Sequence, residues 1–215
     1  MELEVAIVGG HGQIALQLGQ MLAAGEHTVL GVIRDPAQAD DLHAVGVEPV
    51  VCDIEAEDDL GVAVRGVDAV VFAAGAGPGS GVERKRTVDL EGALKLIEAA
   101  RAEGIRRYLM ISAMGAADPP AEGGDVFGAY LRAKAEADRA LAASGLDFTI
   151  VRPGRLTDEP PTGLVEIAAR LPRGEIPRTD VAAVLAAVLV ADNAIGKTFD
   201  LLGGAMPIDQ AVAGL

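Results

Sequence analysis

Two residues in the second half of the chain could carry acid–base chemistry. Tyr130 and Lys134 are four positions apart, a spacing that places both side chains on one face of a helix. A nearby ammonium lowers the pKa of a phenol, so such a tyrosine can donate or accept a proton near neutral pH. The lysine could also hold a cofactor ribose. The alternative interpretation is a surface lysine beside a half-buried tyrosine, because this spacing is common.

A glycine-rich segment near the start of the chain could bind a phosphate group. Its pattern is Gly9-x-x-Gly12-x-x-Ala15, directly after the apolar run Val5–Val8. We expect Gly9 to turn the chain sharply, Gly12 to admit a pyrophosphate close to the backbone, and Ala15 to pack a helix on the strand. The unpaired N–H groups of that helix would bind the anion. The alternative is an ordinary strand-to-helix turn.

Arg34 and Asp53 follow the next two predicted strands and could select a nucleotide. An acidic residue after the second strand would bind the 2′-hydroxyl of NAD, whereas an arginine accommodates the 2′-phosphate of NADP. Arg34 therefore favours NADP, unless it is simply a solvated surface arginine, and we interpret Asp35 as a helix cap before Pro36. Asp53 could accept a hydrogen bond from the adenine amino group or be an acidic turn residue.

Strands and helices alternate along the chain, which is typical of βαβ units. The predicted strands are Leu3–Val8, Thr28–Ile33, Glu48–Cys52, Asp68–Phe72, Arg107–Ser112, Asp147–Val151 and Lys197–Leu201. The predicted helices are Gly12–Ala24, Pro36 to about Gly46, Asp58–Arg65, Val82–Glu103, Ala129–Ser144, Gly163–Arg170, Asp180–Ala191 and a short last helix. The pattern predicts an α/β fold, a Rossmann-type doubly wound parallel sheet flanked by helices.

The composition suits a sheet that is buried on both faces. Hydrophobic residues make up 50% of the chain, aromatic residues only 3%, and the sequence contains no tryptophan. The core must therefore consist of Val, Ala, Leu and Ile, as in parallel sheets covered by helices. The 215 residues are enough for one domain of ordinary size.

Charge and cysteine content narrow the class of protein. The net charge of −14 argues against nucleic acid and anionic membrane surfaces as partners. The single cysteine, Cys52, allows no intrachain disulfide, which is consistent with a reducing compartment. The longest apolar run, Val181–Ala191, is too short to cross a bilayer, and no residues show metal-ligand spacing. With no signal-peptide pattern at the N-terminus, we predict a cytoplasmic protein without a metal.

Several polar or glycine residues lie where predicted strands end. In a doubly wound sheet, ligands bind beyond the carboxyl ends of the strands, so residues that are far apart in sequence converge on one cleft. The residues at predicted carboxyl ends are Gly9, Arg34, Asp53, Gly75, Ser112 and Arg152.

With these motifs in order, the chain resembles the atypical short-chain dehydrogenases/reductases. Within them it is similar to the small NAD(P)H-binding proteins that are related to NmrA-like proteins and to flavin and biliverdin reductases. The resemblance covers nearly the whole chain. The residues that carry it are Gly9–Ala15, Arg34–Pro36, Asp53, Phe72–Gly75, Thr87–Asp89, Ile111–Ala113, Tyr130 with Lys134, and Val151–Gly154.

The resemblance implies a cofactor site and a catalytic group. The implied cofactor-binding residues are Gly9, Gly12 and Gln13 at the pyrophosphate with Ile14 beside them, Arg34 at the 2′-phosphate, Asp53 at the adenine, Ala73, Ala74 and Gly75 at its ribose, Lys134 with Tyr130 at the nicotinamide ribose, and Pro153 over the ring. The implied catalytic residues are Tyr130, Lys134 and Ser112. The chain departs from the family pattern in having Ala113 and Met114 after Ser112, and Asp89 where asparagine is frequent.

These residues predict an NADP(H)-binding oxidoreductase that reduces a small carbonyl, quinone or flavin-like acceptor, with Tyr130 as proton donor assisted by Lys134. Residues 154–215 would form a minimal substrate region within a single domain spanning 1–215. Two other functions stay open: a non-catalytic NADP(H)-sensing protein like NmrA, and an NAD-dependent epimerase or dehydratase. Arg34 and the short C-terminal region count against the last. The partner we expect is a small-molecule substrate, and the pattern predicts no oligomeric state.

Overall fold

The computed structural model describes residues 2–77, 79–121 and 125–215. Its strands are β1 (Glu4–Val8), β2 (Thr28–Ile33), β3 (Glu48–Val51), β4 (Ala69–Phe72), β5 (Arg107–Ile111), β6 (Asp147–Pro153), β7 (Arg155–Thr157), β8 (Leu164–Ala168), β9 (Glu175–Pro177), β10 (Lys197–Gly203) and β11 (Met206–Pro207). Its α-helices are α1 (Gln13–Ala24), α2 (Ala39–His43), α3 (Gly61–Val64), α4 (Val82–Arg84), α5 (Gly92–Ala102), α6 (Val126–Ala142), α7 (Arg178–Leu189) and α8 (Ile208–Ala213). Short 3-10 turns cover Pro36–Gln38 and Asp192–Ala194.

The main sheet has the strand order of a dinucleotide-binding fold. Within the described ranges, nine strands pair in the order β11-β8-β10-β6-β5-β4-β1-β2-β3, and β7 pairs with β9 separately. The first six strands are parallel and follow the order 3-2-1-4-5-6. The order reverses between β1 and β4, so a crevice opens at their carboxyl ends. The predicted Rossmann-type α/β fold is confirmed.

The predicted helix near Gly163–Arg170 is wrong, because Leu164–Ala168 forms strand β8 instead. Val165 and Ile167 alternate with Glu166 at the period of a strand, and Val165 is fully buried. β8 pairs antiparallel with β10, and β11 pairs antiparallel with β8, so the sheet is only mostly parallel. These strand pairs satisfy the backbone N–H and C=O groups along an otherwise open edge of the sheet. The stabilisation comes from distant strands, so the local sequence of the segment does not indicate it.

Helices cover both faces of the sheet. Along β1, Ile7 packs into the core beneath α1 and α7, whereas Ala6 packs into the core beneath α3, α5 and α6. This alternation follows from the opposite directions of successive side chains in a strand. β4 is buried at every position, which explains its wholly apolar sequence.

The predicted helix Val82–Glu103 is one continuous helical stretch, but it is not uniform. Between α4 and α5 the backbone adopts a π-helical conformation over Lys85–Glu91. This π-helical segment packs against α6. A π-bulge is rare and occurs often at functional sites, because it changes the direction in which side chains project.

The C-terminal part of the chain extends the main sheet. β10 pairs in parallel with β6, and α7 packs against α1. The assignment of residues 154–215 to a small substrate region stays a prediction. In the part of the chain that the structure describes, no helix combines the length and hydropathy that a membrane crossing requires.

Candidate functional site

The sharp turn after β1 depends on a glycine. Gly9 has a φ of +85°, and a Cβ atom there would lie 2.6 Å from the Cα of Ala74. The N–H groups of Gly9 and Gly10 both donate to the carbonyl of Val32, at 3.1 and 2.9 Å. Only a residue without a side chain fits this backbone, so the predicted turn at Gly9 is confirmed.

The turn presents the N-terminus of α1 to the cleft. Gly12 is the N-cap residue in extended conformation, and no side chain of the described residues caps α1. Gly12 and Gln13 are exposed, whereas Ile14 and Ala15 are buried against the sheet. Exposed N–H groups and the positive end of the helix dipole form an anion site. The residues present therefore fit a pyrophosphate, and buried Ile14 holds the helix against the sheet. Contact of Gly9, Gly12 and Gln13 with a pyrophosphate stays a prediction.

The segment after β4 lies directly beside this turn. Ala73 N–H donates to the carbonyl of Val8 at 2.9 Å, which continues the sheet pairing past β4. A Cβ atom on Gly75 would lie 3.2 Å from Asp89 Oδ1, and Ala76 N–H donates to Asp89 Oδ2 at 3.2 Å. Ala73, Ala74 and Gly75 thus border the crevice between β1 and β4. Their contact with a ribose stays a prediction.

Arg34 lies at the carboxyl end of β2 with 56% of its side chain exposed. Its Nη1 is 3.6 Å from Glu55 Oε2, the same oxygen that accepts a 2.6 Å hydrogen bond from Arg84 Nη2. Hydrogen bonds from Arg84 and Thr87 lower the pKa of Glu55, so its carboxylate stays charged at neutral pH. Sequence reasoning missed Glu55, although an acidic residue two positions after Asp53 was the available signal.

Two acidic residues near Arg34 have local backbone roles. Asp35 accepts a hydrogen bond from Ala37 N–H at 3.0 Å, which confirms its predicted capping role. Asp53 Oδ1 accepts from Glu55 N–H at 2.9 Å, as the turn interpretation predicts. Its contact with adenine stays a prediction.

Tyr130 and Lys134 lie on one face of α6, and Lys134 reaches into the cleft. Lys134 Nζ is 5.9 Å from the centre of the Tyr130 ring. It donates to the carbonyls of Ile111 at 3.1 Å and Ala74 at 3.5 Å. The pair therefore lies against the carboxyl ends of β4 and β5, beside the predicted nucleotide crevice.

The π-helical segment brings two more charged groups to this pair. Asp89 Oδ1 lies 3.4 Å from Lys134 Nζ. Lys85 Nζ lies 5.4 Å from the centre of the Tyr130 ring and donates to the carbonyl of Gly77 at 2.8 Å. The sequence analysis did not identify Lys85 as a site residue. The one local indication was its spacing of four residues from Asp89 within a predicted helix, which places the two side chains on one face.

The electrostatics of Tyr130 differ from the expectation. Burial raises the pKa of its phenol well above the ordinary value, and the carboxylates of Asp89 and Asp138 raise it further. The prediction that Lys134 lowers this pKa is therefore wrong for this structure, because burial of the phenol is the largest effect and the carboxylates of Asp89 and Asp138 add to it. The phenol of Tyr130 is protonated at neutral pH.

Ser112 belongs to a buried polar cluster behind Tyr130 and Lys134. Its hydroxyl donates to Asp138 Oδ2 at 2.9 Å, and Arg152 Nε donates to the same oxygen at 2.8 Å. Burial raises the pKa of Asp138, an effect that Arg152 and Ser112 partly oppose. Because the hydroxyl hydrogen is directed at Asp138, it is not directed at a substrate, and the catalytic role of Ser112 stays a prediction.

Pro153 is the last residue of β6, buried at the same edge of the sheet as Ser112. Its carbonyl accepts from Met114 N–H at 2.9 Å. Contact of Pro153 with a nicotinamide ring stays a prediction. Outside this group, His11 Nε2 lies 2.8 Å from Asp41 Oδ2, so the imidazole contacts an acidic residue of α2.

Comparison with known proteins agrees with this geometry. Residues 9–192 match the family model described as NAD(P)H-binding. A Bacillus subtilis protein named as the uncharacterized sugar epimerase YhfK is 38% identical over 212 residues, which cover 98% of this chain and 99% of the relative. A solved structure of a putative NAD-dependent epimerase/dehydratase from Bacillus halodurans is 38% identical with a TM-score of 0.93, covering 99% of this chain and 100% of that one.

A more distant relative is the NAD(P)H azoreductase of Xenophilus azovorans. It is 29% identical over 151 residues, which cover 70% of this chain and 47% of the relative. The family match begins at the glycine turn itself and includes Tyr130, Lys134 and Pro153. The chain belongs to the NAD(P)H-binding family.

Proposed function

We propose that this protein is an NADPH-dependent reductase of a small carbonyl, quinone or flavin-like acceptor. The observation that carries the proposal is the position of Tyr130 and Lys134. Lys134 donates to Ala74 and Ile111 at the carboxyl ends of β4 and β5, so a proton donor lies beside a crevice that fits a dinucleotide. The azoreductase relative supports a reductase activity within the family.

The preference for NADP over NAD is part of this proposal. Arg34 is half exposed after β2, where the ribose of the adenosine binds in this fold, and its guanidinium could pair with a 2′-phosphate. Glu55 opposes this preference because it is negatively charged and 3.6 Å away. Arg84 holds Glu55 by a 2.6 Å hydrogen bond, which reduces the opposition.

The chemistry divides between the cofactor and the side chains. NADPH supplies the hydride when it is bound. Tyr130, whose phenol is protonated at neutral pH, donates its proton to the oxygen of the acceptor, so that a carbonyl becomes an alcohol. Lys134, which lies 3.4 Å from Asp89 and donates to the carbonyl of Ile111, is assigned to binding the nicotinamide ribose beside Tyr130. Water then reprotonates Tyr130.

The test is a Tyr130→Phe variant assayed for NADPH oxidation with a panel of carbonyls, quinones and flavins. We expect turnover to fall by about a hundredfold or more, because a positioned proton donor contributes a factor of this order. NADPH affinity, measured by calorimetry, should be unchanged. The chain offers a matched control in Tyr108→Phe, since Tyr108 is buried and, among the described residues, its hydroxyl makes only a 3.5 Å contact with the carbonyl of Ala93. Unchanged turnover in Tyr130→Phe would remove Tyr130 from the mechanism.

A second candidate function is an NAD-dependent epimerase or dehydratase. It is favoured by the two relatives at 38% identity, whose names include an epimerase. Such an enzyme would keep NAD tightly bound through its catalytic cycle. Purified protein that carries NAD⁺ and epimerises a nucleotide sugar without net NADPH consumption would favour this function. Cofactor binding with no turnover in either assay would instead favour an NADP(H)-sensing protein.

A further inference from the structure

We infer that Lys85 recognises an anionic group of the acceptor, so that the substrate class of this site is a planar conjugated acid. The inference rests on the proposed reductase function for its reaction, but its binding part can be tested without turnover. It assigns a role to Lys85, which takes no part in the proposed cofactor binding at the glycine turn or in the proposed proton transfer by Tyr130.

The first support is the position of Lys85. Its Nζ lies 5.4 Å from the centre of the Tyr130 ring, slightly nearer than Lys134 Nζ at 5.9 Å. Tyr130 is thus close to two ammonium groups, one from α6 and one from the π-helical segment. Only 9% of Lys85 is exposed, so the side chain is held at the site and does not extend into solvent.

The second support is the charge balance around Tyr130. Lys134 is compensated by Asp89 at 3.4 Å, whereas no carboxylate of the described residues lies within 4.0 Å of Lys85 Nζ. Within the residues that the structure describes, the ammonium of Lys85 donates one hydrogen bond, to the carbonyl of Gly77, out of three that it can donate. A buried charge is costly unless an opposite charge accompanies it. An anionic ligand group would supply that charge.

The third support is an apolar surface beside the same residues. Phe127 lies at the start of α6 with its ring 5.9 Å from that of Tyr130 and with 61% of the residue exposed. Val126 and Val82, at the starts of α6 and α4, are also exposed. A conjugated ring could stack on Phe127 and Tyr130 while its acidic substituent pairs with Lys85. Apolar rings and one ammonium together favour an aromatic acid over a neutral or sugar-like acceptor.

The cofactor is the other source of anionic groups, and the experiment must separate it from the acceptor. The pyrophosphate fits the N-terminus of α1, after β1, and the 2′-phosphate is proposed at Arg34, after β2. Tyr130 lies instead on α6, which packs at the carboxyl ends of β4 and β5. We therefore assign the anion near Lys85 to the acceptor. Binding is measured to the preformed complex with NADP⁺, in which all cofactor anions are already present.

The experiment compares 2-naphthoate with 2-naphthamide, two ligands of the same shape that differ in charge. Calorimetric titration into the NADP⁺ complex should give about tenfold tighter binding of the naphthoate, the size expected for a charge-assisted hydrogen bond. Lys85→Met should abolish this preference, and Lys85→Arg should retain most of it. Lys197→Met, which removes an exposed lysine at the start of β10, should leave the preference unchanged.

Each other outcome overturns the inference. Equal affinities of the wild type for the two ligands, or a preference that survives in Lys85→Met, would show that Lys85 does not recognise the anion. A loss of NADP⁺ affinity in Lys85→Met, with the ligand preference intact, would assign Lys85 to the cofactor. Failure of the proposed function is distinguishable, because it would appear as no NADPH consumption with any acceptor while the naphthoate preference and its loss in Lys85→Met still hold.

Discussion

Asp89 Oδ1 lies 3.4 Å from Lys134 Nζ, with 0% and 4% of the two side chains exposed. The partners come from the π-helical segment and from α6, so their pairing depends on how these two elements pack. Asp89 also binds Ala76 N–H, in the segment that borders the crevice. A single buried carboxylate therefore links the lysine of the proposed active site to the loop after β4.

The buried pair should contribute strongly to stability. Asp89→Asn keeps an acceptor for Ala76 but leaves the ammonium of Lys134 buried and uncompensated, so we expect a loss of about 3 kcal/mol in the free energy of unfolding. Asp41→Asn is the matched control, because Asp41 contacts the imidazole of His11 at 2.8 Å but is 67% exposed. Its effect should be below about 1 kcal/mol. Urea unfolding measures both, and equal effects would contradict the argument.

The pH dependence of turnover should reflect a protonated Tyr130. Because burial and the nearby carboxylates raise the pKa of its phenol, the proton donor persists as the pH rises through the neutral range. We expect the rate of acceptor reduction to stay level from about pH 7 to 9 and the reverse oxidation, which needs the phenolate, to increase across the same range. Initial rates in both directions measure this. A reduction rate that falls with a midpoint near pH 7 would contradict it.

Substitution by alanine should lower the free energy of unfolding more at Gly9 than at Gly12, although both residues lie in the same turn. Gly9→Ala places a side chain at positive φ and against Ala74, so we expect a loss of at least about 2 kcal/mol in the free energy of unfolding. Gly12 has a φ of −63°, and its added Cβ atom would meet Gly9 O at 3.3 Å. Gly12→Ala should therefore cost less than about 1 kcal/mol.

The cofactor affinity of Gly12→Ala completes this comparison. Gly12 is exposed at the N-terminus of α1, so its methyl group would occupy space that the pyrophosphate needs. We expect NADP⁺ affinity to fall by about tenfold or more while the protein stays folded. Thermal unfolding and calorimetry separate the two effects. Full affinity in a folded Gly12→Ala would place the pyrophosphate elsewhere.

Cofactor selectivity should depend on Arg34 and, in the opposite direction, on Glu55. Arg34→Gln should weaken NADPH binding by about tenfold or more and leave NADH binding unchanged, because only NADPH carries the 2′-phosphate. Glu55→Gln removes a negative charge 3.6 Å from Arg34 and should increase the ratio of NADPH to NADH affinity. Calorimetry with both cofactors checks these ratios. Equal losses for the two cofactors in Arg34→Gln would contradict the NADP preference.

Local sequence was sufficient for the parts of the fold that depend on neighbouring residues. Gly9 ends an apolar strand and must adopt a positive φ there, and Asp35 caps the turn that Pro36 begins. The predicted strand that became β4 is correct to within one residue, because a wholly apolar run between polar turns has few other conformations.

Segments whose conformation depends on distant partners were predicted less well. Residues 164–168 form a strand because β10 pairs with them, and their own sequence also permits a helix. The π-helical conformation of Lys85–Glu91 was invisible for the same reason, since only packing against α6 distinguishes it from an ordinary helix.

The amino-acid sequence by itself determined the strand–helix alternation, the glycine turn and the tyrosine–lysine pair. Each of these features depends on the spacing of residues that are close to each other along the chain. Only the tertiary structure decided the charges around that pair. Asp89 and Lys85 reach Tyr130 and Lys134 from another helical segment, and burial then sets the protonation of the phenol. Coulombic interaction and desolvation depend on distance in space, and separation along the chain does not specify that distance.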